Sequence, residues 1–194
     1  MSFYSPEELR ELGFAGVGDD VRLSRRASIY NPGRIRLANH VRIDDFTVLS
    51  AGEGGIEIGD YVHISVFCSL IGSGRITLGD FSGLSSRVSI HSSSDDFSGR
   101  WMTNPTVPGR YTHVRHADVT IGRHVIIGSG AVVLPGVVID EGAAIGALSL
   151  VNKHCDGFQI FSGIPARRIG ERRKDLLDLE ALLRAEEGEA RPPG

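Results

Sequence analysis

A polar stretch between Ile90 and Val119 gathers the residues best suited to chemistry: His91, Asp95, Asp96, Asn104, Tyr111, His113 and His116. A neutral imidazole can take up a proton, and a carboxylate can bind or orient an amine. His113 and His116 also have the spacing of metal ligands. The stretch runs from Ser92 to Asp118 without a periodic apolar pattern. An interruption of that length in a compact fold is usually functional or disordered. Trp101, Pro105, Pro108 and Tyr111 give it something to pack, which argues for order.

The elements that must hold this stretch follow a strict period. From Val119 to Val151 a branched aliphatic residue recurs every six positions: Ile121, Ile127, Val133, Ile139, Ile145 and Val151. Two places before each stands a small or aliphatic residue: Val119, Val125, Ala131, Val137, Ala143 and Ser149. A helical stripe follows 3.6 residues, so no α-helix fits. A short strand and a sharp corner fit well, with positions i−2 and i pointing inward. Gly122, Gly128 and Gly146, with Asp140 and Asn152, follow the aliphatic residue and are expected to supply positive φ at the corner. The pattern is the hexapeptide repeat of a parallel β-helix.

Earlier hexads carry the same mark at Leu23, Ile29, Leu37, Ile43, Leu49, Ile58, Ile64, Leu70, Leu78, Leu84 and Ile90. Every third step is widened by two or three residues that include Gly or Pro, so three hexads make one coil with one loose corner. A three-sided prism follows, and the last six hexads make two tight coils. Ser5 as N-cap, Pro6, Glu8 and Gly13 frame a short helix expected to cover the first coil. Residues 171–187 read as a C-terminal helix with an apolar face of Leu176, Leu179 and Leu183, joined by Leu177 and Leu182. Gly188 is expected to stop it, leaving 188–194 as a tail. The domain is therefore placed at 1–170, with the insertion at 92–118.

The chain has 194 residues, enough for one domain. Its 25 Gly suit a fold with many corners. A net charge of −3 offers no basic field for nucleic acid or an anionic membrane. No signal peptide or membrane-length apolar run is present, and a cytoplasmic location is expected. Cys68 falls on an inward position and reads as a small core residue, in line with a reducing compartment. Prism faces without a second layer argue for self-association under closed symmetry.

The chain resembles the hexapeptide-repeat acyltransferases, which fold as left-handed parallel β-helices, an all-β class. The resemblance covers roughly residues 21–169 and is most specific over "VTIGRHVIIGSGAVVLPGVVIDEGAAIGALSLVNK" and the closing Gly163-Ile-Pro-Ala-Arg167. It points to the sugar O- and N-acetyltransferase branch. The segment "SSSDDFSGRWMTNPTVPGRYTHV" is similar to the loop of amino-sugar-nucleotide N-acetyltransferases of O-antigen pathways, such as the perosamine type. The resemblance implies a homotrimer with active sites between subunits, the inserted arm reaching over a neighbour. It implies acetyl-CoA as co-substrate and no metal. It places Ser129, Ala147, Lys153 and Arg167 at the coenzyme.

The family's base is a histidine after the strand that precedes the arm, and His91 is the nearest to that place. The family histidine lies several residues further on, where this chain has Ser94, Asp95 and Asp96. His91, Asp95 and Asp96 are thus the candidate catalytic residues. A neutral amine needs less help from a base than a hydroxyl, so an amino group on a nucleotide-linked sugar is the expected acceptor. Transfer to a sugar hydroxyl is the alternative. A γ-carbonic-anhydrase-like metal enzyme would need two histidines five residues apart, and His40, His63, His91, His113, His116, His124 and His154 contain no such pair. A non-catalytic β-helix is disfavoured by the "GIPAR" motif and the arm.

Overall fold

A computed structural model describes residues 2–190. The chain winds as a parallel β-helix with three faces. The first face stacks Gly16–Val17, Ile35–Leu37, Ile56–Ile58, Ile76–Leu78, Val119–Ile121 and Val138–Ile139. The second stacks Arg22–Leu23, Arg42–Ile43, His63–Ile64, Gly83–Leu84, Ile126–Ile127 and Ala144–Ile145, and Gln159–Ser162 continues it in parallel. Arg167–Glu171 then closes that edge antiparallel. The third face runs from Ser28–Tyr30 through Val48–Ala51, Ser69–Gly72, Ser89–His91 and Val132–Val133 to Leu150–Val151. The first coil begins at Gly16, one side earlier than the aliphatic series suggests.

The register is that of the hexads. Ile76 pairs with Ile56 and Val119, and Ile90 with Leu70 and Val133. The aliphatic residues therefore stack in columns down the inside of the prism and, apart from half-buried Ile29 in the first coil, are almost wholly buried. The i−2 positions from Val119 to Ser149 are buried with them, as is Cys68. Every loose corner lies between the third and first faces, and the arm grows from that same corner of the fourth coil.

The corner chemistry differs from the expectation. Gly122, Gly128 and Gly146 do not take positive φ. A Cβ at Gly122 would stand 2.6 Å from the Glu141 amide nitrogen, and one at Gly79 would stand 2.7 Å from that of Arg123. Glycine is there because the next coil's backbone passes too close for a side chain. Positive φ falls three places after the aliphatic residue, at His40, Phe46, Tyr61, Phe67, Phe81, Arg87 and His124 as well as Gly130, Gly136 and Gly142. Parallel strands are spaced at about 4.8 Å, which suits ring stacking. His40, Tyr61, Phe81 and His124 form one ladder, with centroids 4.4, 4.9 and 5.0 Å apart. Stacking offsets the cost of a left-handed backbone at bulky residues.

Helix α1 (Pro6–Glu11) has the expected capping box between Ser5 and Glu8, and Leu9 seals the core. Helix α2 (Leu176–Ala190) runs through Gly188 instead of ending before it. Its docking is also different from the leucine stripe read in the sequence. Leu179 and Leu182 are 65% and 62% exposed, whereas Glu180 is buried against the prism. Residues 191–194 of the expected tail lie outside the described residues. Among the described residues, no helix is long and apolar enough to cross a membrane.

Candidate active site

The arm is ordered as a ribbon. Ser93–Ser94 pairs antiparallel with Arg115–His116, and Met102 bridges to Thr112. Its root is tied to the preceding coil. Ser92 Oγ donates to the Gly74 carbonyl at 2.7 Å, and Asp118 Oδ1 accepts from the Arg75 amide at 2.8 Å. Ser93 Oγ accepts from the Ser73 amide at 2.7 Å and lies 2.7 Å from His116 Nδ1. The hydroxyl donates to Nδ1 or accepts from it according to the tautomer of the ring.

Between the arm and the third face lies a cleft of about 680 Å³, lined among others by Ser50, Ile71, Asp95, Asn104, Thr112 and His116. Of the paired carboxylates, Asp95 faces this cleft. Asp96 closes a turn of the arm, accepting from Ser98 Oγ at 2.8 Å and the Gly99 amide at 3.0 Å. These bonds, that from Ser98 first, hold its carboxyl below the ordinary range. His113 stacks on Trp101 at 5.6 Å in the outer part of the arm. His91 follows Ile71 in the outward column of the third face and is half-buried. Burial pushes its imidazole down, favouring the neutral ring that can accept a proton. It does not line the cleft.

The four expected coenzyme residues fall in two places. Lys153 and Arg167 line one cleft of about 290 Å³ with Arg168. Arg168 is engaged by Gln159 and by Glu171 at 2.9 Å. Neither Lys153 nor Arg167 meets a carboxylate among the described residues, which leaves two uncompensated cations side by side. Such a pair suits phosphate groups. Ser129 and Ala147 stack on successive coils at the corner between the second and third faces, the Leu148 amide donating to the Ser129 carbonyl at 2.9 Å. Both are exposed. Ser129 lines a third cleft on the second face, with His63, Ser65, Ser85 and Ser86.

One group of three possible metal ligands occurs among the described residues: Asp140, His154 and Asp156. His154 Nε2 lies 3.1 Å from Asp140 and 3.4 Å from Asp156, so the three satisfy one another at the surface.

The model of bacterial transferase hexapeptide repeats (six repeats) matches residues 118–153. The dTDP-4-amino-4,6-dideoxy-D-glucose acyltransferase of Escherichia coli is 51% identical over 184 residues, covering 95% of this chain and 96% of that protein. The N-acyltransferase AntD of Bacillus cereus, crystallised with dTDP and 3-hydroxybutyryl-CoA, superposes with a TM-score of 0.92 at 42% identity. That match covers 96% of this chain and 98% of AntD. A serine-to-cysteine variant of AntD, in complex with dTDP-4-amino-4,6-dideoxyglucose and coenzyme A, matches with a TM-score of 0.91 at 42% identity over 95% of this chain and 98% of that one. This chain belongs to the hexapeptide-repeat acyltransferases, in the group of the dTDP-amino-sugar acyltransferases.

Proposed function

We propose that this protein transfers an acyl group from acyl-CoA to the amine of dTDP-4-amino-4,6-dideoxyglucose or a close relative. The observation that carries this reading is the match to AntD across 96% of the chain, arm included, with both a nucleotide and an acyl-CoA in the matching structure. The geometry fits. The arm cleft offers a carboxylate at Asp95 and neutral polar groups at Ser50, Asn104 and Thr112, which suit a sugar bearing an amine. Lys153 and Arg167 offer free cations to the coenzyme's phosphates, and Ser129 and Ala147 offer an open corner to its pantetheine arm. The amine nitrogen attacks the thioester carbon, the C–S bond breaks, and the proton lost by nitrogen ends on the departing sulfur. Acetyl is the donor group implied by the wider family, and AntD was crystallised with the longer 3-hydroxybutyryl group.

The working unit in this reading is a homotrimer. Phe97 is 93% exposed, and Trp101, Met102 and Tyr111 of the arm and Tyr30 of the third face are also open. Apolar groups so placed need a partner surface, and a second copy under threefold symmetry supplies one. Sedimentation at micromolar concentration checks this, with a monomer counting against it. The reaction is checked by mass spectrometry of dTDP-4-amino-4,6-dideoxyglucose incubated with acetyl-CoA and 3-hydroxybutyryl-CoA. N-acylated product is expected. Turnover of the matching 4-hydroxy sugar alone would overturn the reading.

A further inference from the structure

The arm cleft has an apolar wall that an amine alone does not account for. On the arm ribbon Ser93 pairs with His116 and Ser94 with Arg115. One step beyond the second pair stand Asp95 and Val114, opposite each other. Successive side chains of a strand alternate between its two sides. Asp95, Thr112, Val114 and His116 all line the cleft, so one side of the ribbon faces it. His113 and Arg115, the alternate residues, do not line it, and His113 stacks on Trp101 instead. The cleft side thus sets one carboxylate across from one branched aliphatic side chain. Opposed residues on an antiparallel pair hold their Cβ atoms about 5 Å apart.

The floor of the cleft repeats the apolar choice. Ile71 stands in the outward column of the third face, between Ser50 and His91. Its carbonyl accepts from the Ser92 amide at 3.0 Å, so the arm leaves the prism beside it. Ile71 and Val114 are 37% and 38% exposed, and both line the cleft. Val107, from the outer arm, lines it as well. A methyl group laid against Ile71 and Val114 would take apolar surface of all three out of water. Asp95 and His116 are the only titratable side chains among the described residues that line this cleft.

We infer that Val114 and Ile71 select the acceptor sugar by its methyl group, which lies against them while Asp95 takes the neighbouring amine. This rests on the acyl-transfer reading above and narrows its acceptor to 6-deoxy sugars. In a 4-amino-4,6-dideoxyhexose the amine and the methyl group stand on adjacent ring carbons. A site for that pair needs an anionic group and an apolar wall side by side, as Asp95 and Val114 are. Thr112, two places before Val114, and Ser50, one coil from Ile71, remain for the ring hydroxyls. A sugar that keeps its 6-hydroxyl would press that group onto two aliphatic side chains. There the hydroxyl loses water and gains no partner. An apolar pocket rejects an added hydroxyl by about a hundredfold at most.

The test uses the full chain and two acceptors, dTDP-4-amino-4,6-dideoxyglucose and dTDP-4-amino-4-deoxyglucose, which differ only in the 6-hydroxyl. Wild type is compared with Val114→Thr and Ile71→Thr, each checked for folding by its melting temperature. Wild-type kcat/KM should favour the 6-deoxy sugar by roughly ten- to a hundredfold. Each threonine places a hydroxyl where the sugar's 6-hydroxyl arrives. Either variant should therefore shrink the preference severalfold, through KM for the sugar, with KM for acyl-CoA unchanged. Calorimetry with each nucleotide sugar in the absence of acyl-CoA should give Kd values in the same order, which makes the preference independent of turnover. If neither amino sugar is acylated, the acyl-transfer reading falls and the inference falls with it. If wild type acylates and binds both sugars equally well, that reading stands and the inference is overturned. A wild-type preference that neither variant moves would also overturn it.

Discussion

His124 Nε2 lies 2.6 Å from the Glu180 carboxylate, joining the prism to α2 across fifty-six residues of sequence. Arg123 shares the carboxylate at 2.6 Å, and Arg184 adds a bond at 2.7 Å from one turn further along the helix. His124 also ends the stacked ring ladder, so the helix docks on the ladder's edge through charge. Burial pushes the Glu180 carboxyl up, but Arg184, His124 and Arg123 outweigh it and bring it down from 4.5 to about 2. A carboxyl depressed in the folded state contributes stability that is complete above its unfolded value and is lost as pH falls through its folded value. Docking of α2 should therefore weaken between about pH 4.5 and 2. Hydrogen exchange in α2 checks this: Glu180→Gln should be less protected at pH 7 and lack the acid-dependent step.

Ser82 is an inward i−2 residue whose neighbours in the same column are Val62 and Val125. Its hydroxyl is buried with no hydrogen-bond partner among the described residues. An unpaired buried hydroxyl costs about 1–3 kcal/mol. Ser82→Ala removes it without adding volume and should raise stability by about 1 kcal/mol, read as a higher denaturation midpoint. A lower midpoint would mean that the hydroxyl has a partner in solution.

Lys153→Ala and Arg167→Ala should each weaken acyl-CoA binding by about 1–3 kcal/mol, the scale of a hydrogen bond to a charged group. The two cations share one cleft, so the double variant should depart from additivity. Titration calorimetry with coenzyme A is the measurement, and unchanged affinity in both single variants would remove them from the coenzyme site.

His91→Asn should cost less than the 10²–10⁴-fold that loss of a general base typically brings. The imidazole is half-buried and lines neither the arm cleft nor the cleft of the second face, and an amine acceptor needs less help than a hydroxyl. Steady-state kinetics on the amino-sugar nucleotide decide it. A fall beyond about 10³-fold would make His91 the base and favour a hydroxyl acceptor.

The period of six was enough to specify the coil. An aliphatic residue at i and a small one at i−2 leave a chain no way to bury both except by turning every six residues, and Ile121 through Val151 lie inside as that requires. The loose corners and the arm were legible for the same reason, because they break the period. Local sequence did not reveal what coil stacking decides. Whether Gly122 serves φ or clearance depends on the backbone of Glu141, nineteen places on. Whether α2 docks by leucine or by Glu180 depends on which side chains the ladder presents to it. The site divides along the same line. Asp95 and Asp96 are adjacent in sequence and identical in chemistry, yet only the fold of the arm turns one to the cleft and the other to its own turn. Asp44 and His63 carry no motif, yet completing one coil sets His63 beside Arg42 and brings its ring 2.9 Å from the Asp44 carboxylate. A repeat determines its own geometry from neighbouring residues, whereas contacts between coils depend on the residues that each turn of the helix brings alongside.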